Sequence, residues 1–219
     1  MEITAMTDVP NRRPLASRQS RWAGEATRRL VKTGITPNQI SMLGMVAALV
    51  AGLSFWGAGG VSGAARVLLL LLGAVFVQAR LICNLLDGMV AVEGGKRALD
   101  GGFWNEFPDR VSDLLILLGI GLGLGHPALG WAAVSFAFLT AYVRELGVSC
   151  GRPADFAGPM AKQHRMALVT GAAVLSAFAP LWSGRDELLL AALWLVAVGA
   201  ALTALRRSAR LVIALRRGR

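Results

Sequence analysis

The stretch Asn84–Asp113, NLLDGMVAVEGGKRALDGGFWNEFPDRVSD, places acidic and amide side chains in the middle of a strongly apolar chain. Around its N-terminal part, Arg80, Asn84, Asp87 and Ala91 lie three or four residues apart. Side chains with this spacing share one face of an α-helix. The pattern therefore predicts a helix with a polar stripe along one side.

A second polar stripe begins the next apolar segment. Asn105, Asp109 and Asp113 repeat at intervals of four residues, so they also share a helix face. A charged side chain at the centre of a bilayer costs about 2.5–3.5 kcal/mol, so such groups need partners or a wet cavity. Because two consecutive helices carry them close to Lys96 and Arg97, we expect both stripes to face one polar pocket.

The composition of the whole chain is typical of an integral membrane protein. Of its 219 residues, 55% are hydrophobic and only 16% are charged, whereas a soluble domain carries about 25% charged residues. The net charge of +10 falls in the gaps between apolar segments, which is the membrane pattern. We therefore expect contacts with membrane lipid and no nucleic-acid partner.

Six apolar segments have the length that a membrane crossing requires, about 20 residues once flanking residues are included. They predict an all-α integral membrane protein built as a six-transmembrane-helix bundle. The segments are Ile40–Ala58, Arg66–Val92, Asp109–Gly125, Leu129–Val143, Met166–Trp182 and Leu188–Leu205.

The distribution of Lys and Arg predicts the orientation of these segments. Alternate gaps are basic, whereas the gaps between them carry only Arg66 and Arg185. Because cations are retained on the cytoplasmic side, we expect both termini and the polar pocket in the cytoplasm, at a bacterial inner membrane. The cations concerned are Arg12, Arg13, Arg18, Arg21, Arg28, Arg29, Lys32, Lys96, Arg97, Arg144, Arg152, Lys162, Arg165, Arg206, Arg207, Arg210, Arg216, Arg217 and Arg219.

Residues 14–32, PLASRQSRWAGEATRRLVK, mix apolar and basic side chains at helical spacing. They predict a juxtamembrane amphipathic helix on the inner leaflet, with its cations at anionic lipid. The alternative is a solvated basic segment that only sets orientation. The first helix of the bundle should begin near Pro37, with Thr36 or Asn38 as its cap. The chain then divides into a cytoplasmic N-terminal segment (1–36), a transmembrane domain (37–205) and a basic cytoplasmic tail (206–219).

The expected polar pocket offers oxygen atoms that suit a metal ion. Asp87 and Asp109 supply carboxylates, and Asn84 and Asn105 supply amide oxygens. Hard divalent cations such as Mg²⁺ or Mn²⁺ prefer oxygen ligands of this kind. The pattern therefore predicts a divalent metal site between the second and third helices.

A purely structural interpretation of the same residues stays open. Asn84 and Asn105 would then join neighbouring helices through hydrogen bonds. The charged residues would form simple ion pairs, Arg80 with Asp87 and Arg110 with Asp113.

The stretch resembles the motif of the CDP-alcohol phosphatidyltransferases, D-x2-D-G-x2-A-R-x8-G-x3-D-x3-D. Placed without gaps, the chain matches five of its eight specified positions, at Asp87, Gly88, Ala91, Gly101 and Asp109. GITPN at 34–38 also resembles the family's entry to the first helix. REL at 144–146 resembles an Arg-Glu pair of its glycerophosphate-using members.

This resemblance implies a fold, an activity and a set of site residues. Members of the family are six-helix membrane enzymes, paired as homodimers, that transfer a phosphatidyl group from a CDP-linked lipid donor to an alcohol and release CMP. The resemblance implies that Asp109 is the catalytic base. It implies that Mg²⁺ or Mn²⁺ is bound by Asp87, Asp109, Asn84 and Asn105, and that the CDP moiety is bound by Asn84, Asp87, Gly88, Ala91 and Gly101.

Three positions depart from the motif. Asn84 and Asn105 stand where the family has Asp, and Val92 stands where it has Arg. Each amide keeps an oxygen but loses a negative charge, and two unit charges 4 Å apart attract by about 4 kcal/mol at an effective dielectric of about 20. We therefore predict one full-strength metal site on Asp87 and Asp109 and a second, weaker one.

A second basic region, RELGVSCGRPADFAGPMAKQHRM at 144–166, follows the fourth predicted helix. Its cations exceed what orientation requires, and both Arg and Lys bind phosphate. They predict a site for the phosphate of a polyol-phosphate acceptor, unless they only set the topology. The candidates are Arg144, Arg152, Lys162 and Arg165.

The sequence thus predicts a membrane transferase of phospholipid biosynthesis that uses a CDP-linked donor and a small alcohol or polyol-phosphate acceptor. Two other functions stay open, a non-catalytic relative that binds nucleotide or lipid, and a small transporter with a polar pocket. Transporters usually show two related halves with broken helices, and the sequence has no such halves.

Overall fold

The computed structural model describes residues 20–96, 99–182 and 184–217. Arg12, Arg13, Arg18, Arg97 and Arg219, which enter the orientation prediction, lie outside these residues, as do residues 14–19 of the predicted amphipathic helix. The described part of the chain forms seven α-helices and a short 3-10 helix at Ala179–Trp182. The α-helices are α1 (Arg21–Lys32), α2 (Pro37–Gly59), α3 (Gly63–Glu93), α4 (Gly101–Gly123), α5 (Pro127–Ser149), α6 (Lys162–Ala177) and α7 (Glu187–Arg216).

The all-α prediction is confirmed, and each of the six apolar segments coincides with one of the helices α2 to α7. The fifth segment continues from α6 through the 3-10 helix. Among the described residues, α2, α3 and α7 have the length and apolar composition to cross a membrane. The chain is an integral membrane protein, and the count of six crossings stays a prediction.

The first helix of the bundle begins with a capping box. The Thr36 side chain accepts a hydrogen bond from Gln39 N at 3.2 Å, and Gln39 Oε1 accepts one from Thr36 N at 2.9 Å. Two backbone donors that the first helical turn cannot satisfy are thus bonded reciprocally. Thr36 is therefore the cap that the sequence left undecided between Thr36 and Asn38, while Asn38 donates to Asp100 at 3.3 Å.

Small residues bring α2 and α4 into close contact. A Cβ at Gly119 would lie 2.3 Å from the carbonyl oxygen of Gly52, and one at Gly52 would lie 2.3 Å from that of Leu115. Small residues at such interfaces are common in membranes because they let helix backbones approach closely. α2 also packs along α3, while α5 packs along α7 and α6 along α3. The polar stripes of α3 and α4 are held in one bundle by this packing.

α1 packs against α3. Its buried Ala23 contacts a small apolar cluster with Leu85 and Met89 of α3, whereas Arg28 and Arg29 on the other side are exposed and pair with Glu25. The predicted helix therefore forms over its described part. Its position on a membrane leaflet stays a prediction.

The two ends of the bundle differ in their polar contacts. We call the end that carries Asn84 and Asp109 the polar end, and the opposite end, with Arg66 and Asp186, the far end. Arg66 is buried there, and its guanidinium donates to Ala58 O at 2.8 Å, Arg185 O at 2.9 Å and Asp186 Oδ1 at 2.7 Å. Arg66, which the sequence analysis treated only as a loop charge, thus fastens the loop before α7 to the end of α2.

α7 runs as one helix past the predicted start of the basic tail at residue 206. Arg207 is buried, and its guanidinium donates to Ala157 O at 3.0 Å and to Thr140 O at 2.7 Å. Thr203, one turn earlier, accepts a hydrogen bond from Met160 N at 3.0 Å. The loop between α5 and α6 is therefore anchored to α7.

Candidate active site

The polar end contains a cavity of about 320 Å³ bordered by α3, α4, α5 and α6. Trp22 of α1 and Arg207 of α7 also line it. The cavity brings together most of the predicted site residues, although they come from four helices and span more than 80 positions of the chain. Those that line it are Asn84, Gly88, Asn105, Asp109, Arg144, Lys162 and Arg165.

Asp109 lies at the centre of this arrangement. It is 8% exposed, and cations from three helices surround its carboxylate. Arg80 of α3 donates to Oδ1, Lys162 of α6 donates to Oδ2 at 2.5 Å, and Arg110 Nη2 lies 3.8 Å from Oδ2. A buried carboxylate requires such partners because the loss of hydration is otherwise uncompensated.

Lys162 connects the two predicted metal-ligand stripes. It is the first residue of α6, and its Nζ donates both to Asn84 Oδ1 on α3 and to Asp109 Oδ2 on α4. The ammonium group therefore lies between two oxygens that the sequence analysis assigned to a metal ion. Its side chain is only 14% exposed.

Asp87 occupies a separate position, one turn from Asn84 along α3. Its Oδ2 accepts a hydrogen bond from Ser41 Oγ of α2 at 2.7 Å, and the side chain is within electrostatic reach of Asp109 and Lys162. Asp87 is not among the residues that line the cavity, and neither are Ala91 and Gly101. Of the predicted nucleotide-binding residues, Asn84 and Gly88 therefore line the cavity, and Asp87 contacts α2.

Asn105 and Arg144 both line the cavity and contact Glu106. Asn105 is exposed, and its Nδ2 donates to Glu106 Oε1 at 3.1 Å. Arg144 of α5 pairs with Glu106 and, at 2.8 Å, with Glu145, and its guanidinium stands 5.4 Å from the centre of the Phe156 ring. A partly exposed guanidinium held by an aromatic face in this way is positioned to receive an anion.

The two remaining predicted acceptor residues have other contacts. Arg165 is 1% exposed, and its guanidinium donates to Asp113 at 2.7 Å and to Met160 O at 3.1 Å. Arg152 donates to Ala214 O of α7 and is not among the residues that line the cavity.

The simple ion pairs considered from the sequence were wrong in their partners. Arg80 pairs with Asp109 rather than with Asp87, and Asp113 pairs with Arg165 rather than with Arg110. Helical spacing identified the charged faces, but the pairing follows from the cations that α3 and α6 present to the carboxylates of α4. Sequence spacing within one helix cannot supply that information.

Around Asp109, donors outnumber acceptors. Four buried guanidinium nitrogens at the polar end have no hydrogen-bond partner among the described residues: Arg80 Nη1, Arg110 Nε and Nη1, and Arg165 Nε. Buried donors in native proteins are nearly always satisfied. The arrangement is therefore suited to an anionic ligand with several acceptor oxygens, such as a phosphate or pyrophosphate.

The carboxylate and amide oxygens of Asp87, Asp109, Asn84 and Asn105 also fit a divalent metal ion. Their chemistry suits such an ion, and two of them already bind the Lys162 ammonium group. The described residues contain no group of three or more His, Cys, Asp and Glu side chains that could hold a metal, because amides take two of the four positions. Carboxylate and amide oxygens remain suitable ligands for Mg²⁺ or Mn²⁺. The Lys162 ammonium bridging Asn84 and Asp109 marks a point in this cluster where positive charge is accommodated.

Several residues of the site escaped the sequence analysis. Ser41, Thr140 and Arg207 reach the polar end from α2, α5 and α7. A weak signal existed for Ser41, which lies one turn into α2 just after the GITPN segment. Arg207 carried no signal, since its charge is indistinguishable in sequence from those of the other basic residues around it.

Comparison with known proteins bears on the fold and the family. The crystal structure of Mycobacterium tuberculosis phosphatidylinositol phosphate synthase with CDP-DAG bound superposes with a TM-score of 0.73 at 22% identity, over 88% of this chain and 94% of that one. The same enzyme with manganese and citrate gives a TM-score of 0.72 at 21% identity, over 86% and 88% of the two chains. At this identity the likeness shows a shared fold.

Proteins with higher sequence identity to this chain include a phosphatidylinositol phosphate synthase and an archaetidylinositol phosphate synthase. A phosphatidylinositol phosphate synthase of Streptomyces avermitilis is 27% identical over 189 residues, covering 81% of this chain and 72% of that protein. The chain is a relative of the CDP-alcohol phosphatidyltransferases. An archaetidylinositol phosphate synthase of Pyrococcus horikoshii is 36% identical over 94 residues, 43% of this chain and 45% of that protein. No protein-family model matches the chain. The sequence relatives and the shared fold confirm the predicted resemblance to the CDP-alcohol phosphatidyltransferases.

Proposed function

We propose that this protein transfers a phosphatidyl or similar substituted-phosphate group from a CDP-linked donor, such as CDP-diacylglycerol, to an alcohol acceptor and releases CMP. The observation that carries the proposal is the cavity at the polar end, where Asp109 and Asn84 lie beside buried guanidinium nitrogens that lack partners. A pyrophosphate supplies the acceptor oxygens that those donors require. The relatedness to phosphatidylinositol phosphate synthases supports the same reaction.

The donor is bound, in this proposal, along the polar face of α3 and the start of α4. Asn84, Asp87, Gly88, Ala91 and Gly101 hold the CDP moiety, with the small residues leaving room for the nucleotide. Asp87, Asp109, Asn84 and Asn105 would hold Mg²⁺ or Mn²⁺, in line with the manganese bound by a protein of the same fold. The ion, when bound, neutralises charge on the pyrophosphate and on the departing CMP.

Asp109 acts as the base in the proposed reaction. The acceptor hydroxyl transfers its proton to Asp109 as its oxygen forms a bond to the phosphorus that carries the lipid. The bond between that phosphorus and the bridging oxygen breaks, and CMP leaves with the electron pair. Arg80 and Lys162, which flank the carboxylate, orient it toward the cavity, and Arg110, which lines the cavity, also offers donors to the phosphates.

The acceptor, we propose, is an inositol phosphate, the acceptor class that the names of its relatives indicate. The basic residues of the acceptor site would bind its phosphate. Arg144, Lys162 and Arg165 line the cavity, and Arg165 Nε has no hydrogen-bond partner among the described residues, whereas Arg152 lies in the neighbouring loop. Three of these cations, Arg144, Lys162 and Arg165, line the cavity, which favours an acceptor that carries a phosphate over a neutral alcohol such as serine.

A panel of acceptors tests this assignment. Purified protein is incubated with CDP-diacylglycerol, Mg²⁺ and one acceptor at a time, and CMP is quantified. Inositol phosphate should give the fastest release, glycerol phosphate less, and free inositol or serine little. Equal rates with inositol and inositol phosphate would remove the phosphate site from the proposal.

The orientation is part of the proposal. Six helices cross a bacterial inner membrane with the termini and the polar end in the cytoplasm, as the basic gaps suggest. Single cysteines at Gly60 and Gly184, in a background without Cys83 and Cys150, should react with an impermeant maleimide added to intact cells. A cysteine at exposed Glu93 is preferable to one at Gly95, where φ is +63°. Labelling at Glu93→Cys from outside would reverse the orientation.

A non-catalytic relative that binds nucleotide or lipid is the second candidate. Both oxygens of Asp109 have cationic partners, and two of the four family carboxylates are amides. Such a protein would bind CDP-diacylglycerol without releasing CMP. We further propose a homodimer, as in the family, which analytical ultracentrifugation in detergent would reveal as twice the chain mass.

A further inference from the structure

The Lys162 ammonium has an unusual position for a group at a helix start. It donates to two oxygens, Asn84 Oδ1 and Asp109 Oδ2, that belong to two different helices. Its side chain is 14% exposed, and the Asp109 side chain 11%. A lysine carries its charge on a flexible four-carbon stem, and here the two oxygens hold that charge at one point of the cluster.

The charges within the cluster are unevenly matched. Asp87 and Asp109 contribute two negative charges, whereas Arg80, Arg110 and Lys162 place three positive charges around Asp109. Both oxygens of Asp109 already face a cation. Asp87 is different, because its hydrogen-bond donors, the Ser41 hydroxyl and the Gly88 backbone amide, are neutral. Room for a further divalent charge therefore exists mainly on the Asp87 side.

We propose that Lys162 takes the place of one divalent cation, so that this protein binds a single metal ion on the Asp87 side and uses the Lys162 ammonium between Asn84 and Asp109. The amides support this assignment. An amide oxygen at position 84 accepts a hydrogen bond from an ammonium group well but binds a dication less strongly than a carboxylate does. The exchange of Asp for Asn and the presence of Lys162 at that oxygen are two parts of one adaptation.

This inference rests on the proposed function only in taking Asp87 and Asp109 as metal ligands. It differs from a role for Lys162 in binding the acceptor phosphate alone. In that case the removal of Lys162 would raise the acceptor KM and leave the number of bound ions unchanged. A lysine that replaces an ion changes the metal stoichiometry itself.

The test counts Mn²⁺ ions on the full-length protein in lipid nanodiscs, by electron paramagnetic resonance of free Mn²⁺ at known protein concentration. Four proteins are compared: wild type, Asn84→Asp, Lys162→Met combined with Asn84→Asp, and Lys32→Met as a matched lysine control on α1. We expect one ion for wild type, for Asn84→Asp and for Lys32→Met. We expect two for the combined variant, because a carboxylate then replaces the amide and the ammonium is gone.

Two bound ions in wild type, or one in a folded combined variant, would overturn the inference. If the combined variant does not fold, Asn84→Asp alone decides, since two ions there would show that Lys162 does not hold the position. CMP release by the same preparations separates the two proposals. One ion with no CMP release overturns the proposed function and leaves the inference standing, whereas two ions with CMP release do the reverse.

Discussion

Each end of the bundle contains a buried arginine paired with an aspartate, and the two pairs are arranged differently. At the far end, Arg66 donates to Ala58 O at the end of α2, to Arg185 O and to Asp186, so that one cation joins α2 to the loop before α7. At the polar end, Arg80, Lys162 and Arg110 surround the single carboxylate of Asp109. Four buried guanidinium nitrogens at this end, on Arg80, Arg110 and Arg165, have no hydrogen-bond partner within the described part of the chain.

The difference separates a structural pair from a binding site. Arg66 has partners that suffice for its charge and donors, so its contacts serve the fold. The polar end keeps an excess of buried positive charge and unsatisfied donors, which costs stability unless a ligand compensates. Functional sites commonly carry such locally unfavourable arrangements. The comparison predicts that changes at the polar end affect turnover and that changes at the far end affect stability.

The largest effect is expected at Asp109. Asp109→Asn removes a carboxylate that serves as base and as metal ligand, and loss of a general base lowers rates by about 10²–10⁴-fold. Asp186→Asn, at the paired carboxylate of the far end, is the matched control and should keep its CMP release. Melting temperatures of both variants in detergent exclude unfolding. Equal losses of turnover in the two variants would remove the distinction between the ends.

The far end should respond in the opposite way. Arg66→Met leaves the carbonyls of Ala58 and Arg185 without their donor, at a cost of about 1–3 kcal/mol. We expect a lower melting temperature together with unchanged KM values for donor and acceptor. A variant with normal stability and a raised KM would assign Arg66 to substrate binding instead.

Replacing the two asparagines of the polar end by aspartate restores the negative charge that the family motif has at these positions. Asn84→Asp combined with Asn105→Asp adds two carboxylates to the donor set, which should tighten Mg²⁺ or Mn²⁺ binding by about tenfold or more, since even 1.4 kcal/mol of the added attraction gives a factor of ten. Calorimetric titration measures the affinity, and CMP release should rise with it. Slower turnover in the double variant would mean that the amides are adapted to the natural substrate.

The smallest effect is expected at Arg144. Arg144→Ala removes one partly exposed phosphate donor, worth roughly 1 kcal/mol, so the acceptor KM should rise about fivefold with the donor KM unchanged. Arg210→Ala, at an exposed cation paired with Asp155, is the control. Equal changes in both KM values would assign Arg144 to the nucleotide or to folding.

The sequence predicted the helices well because apolar length and helical spacing are local properties. It placed Arg80, Asn84 and Asp87 on one face and Asn105 and Asp109 on another. Asn84, Asn105 and Asp109 line the cavity as expected, and Arg80 donates to Asp109. The resemblance to the CDP-alcohol phosphatidyltransferases was also predicted from the sequence, and the comparisons confirm it. The motif carried that information in fixed spacings that survive the Asn84 and Asn105 exchanges.

What the sequence could not predict depends on contacts between helices. Lys162 was expected at a phosphate, and the structure places its ammonium between Asn84 and Asp109. Arg66 and Arg207 were expected in a loop and a tail, and both are buried. A long cationic side chain can extend in several directions, so its partner is decided by the neighbouring helices and not by its own segment.

The central claim, that the polar end catalyses CDP-dependent transfer, is tested most directly by CMP release from CDP-diacylglycerol. Purified wild-type protein and Asp109→Asn are assayed with inositol phosphate, with Mg²⁺ or Mn²⁺ and after chelation by EDTA. We predict CMP release by wild type in equal amount to the phospholipid product, its loss with EDTA and its recovery on adding metal back. Folded wild-type protein that binds CDP-diacylglycerol and releases no CMP with any acceptor would contradict the claim.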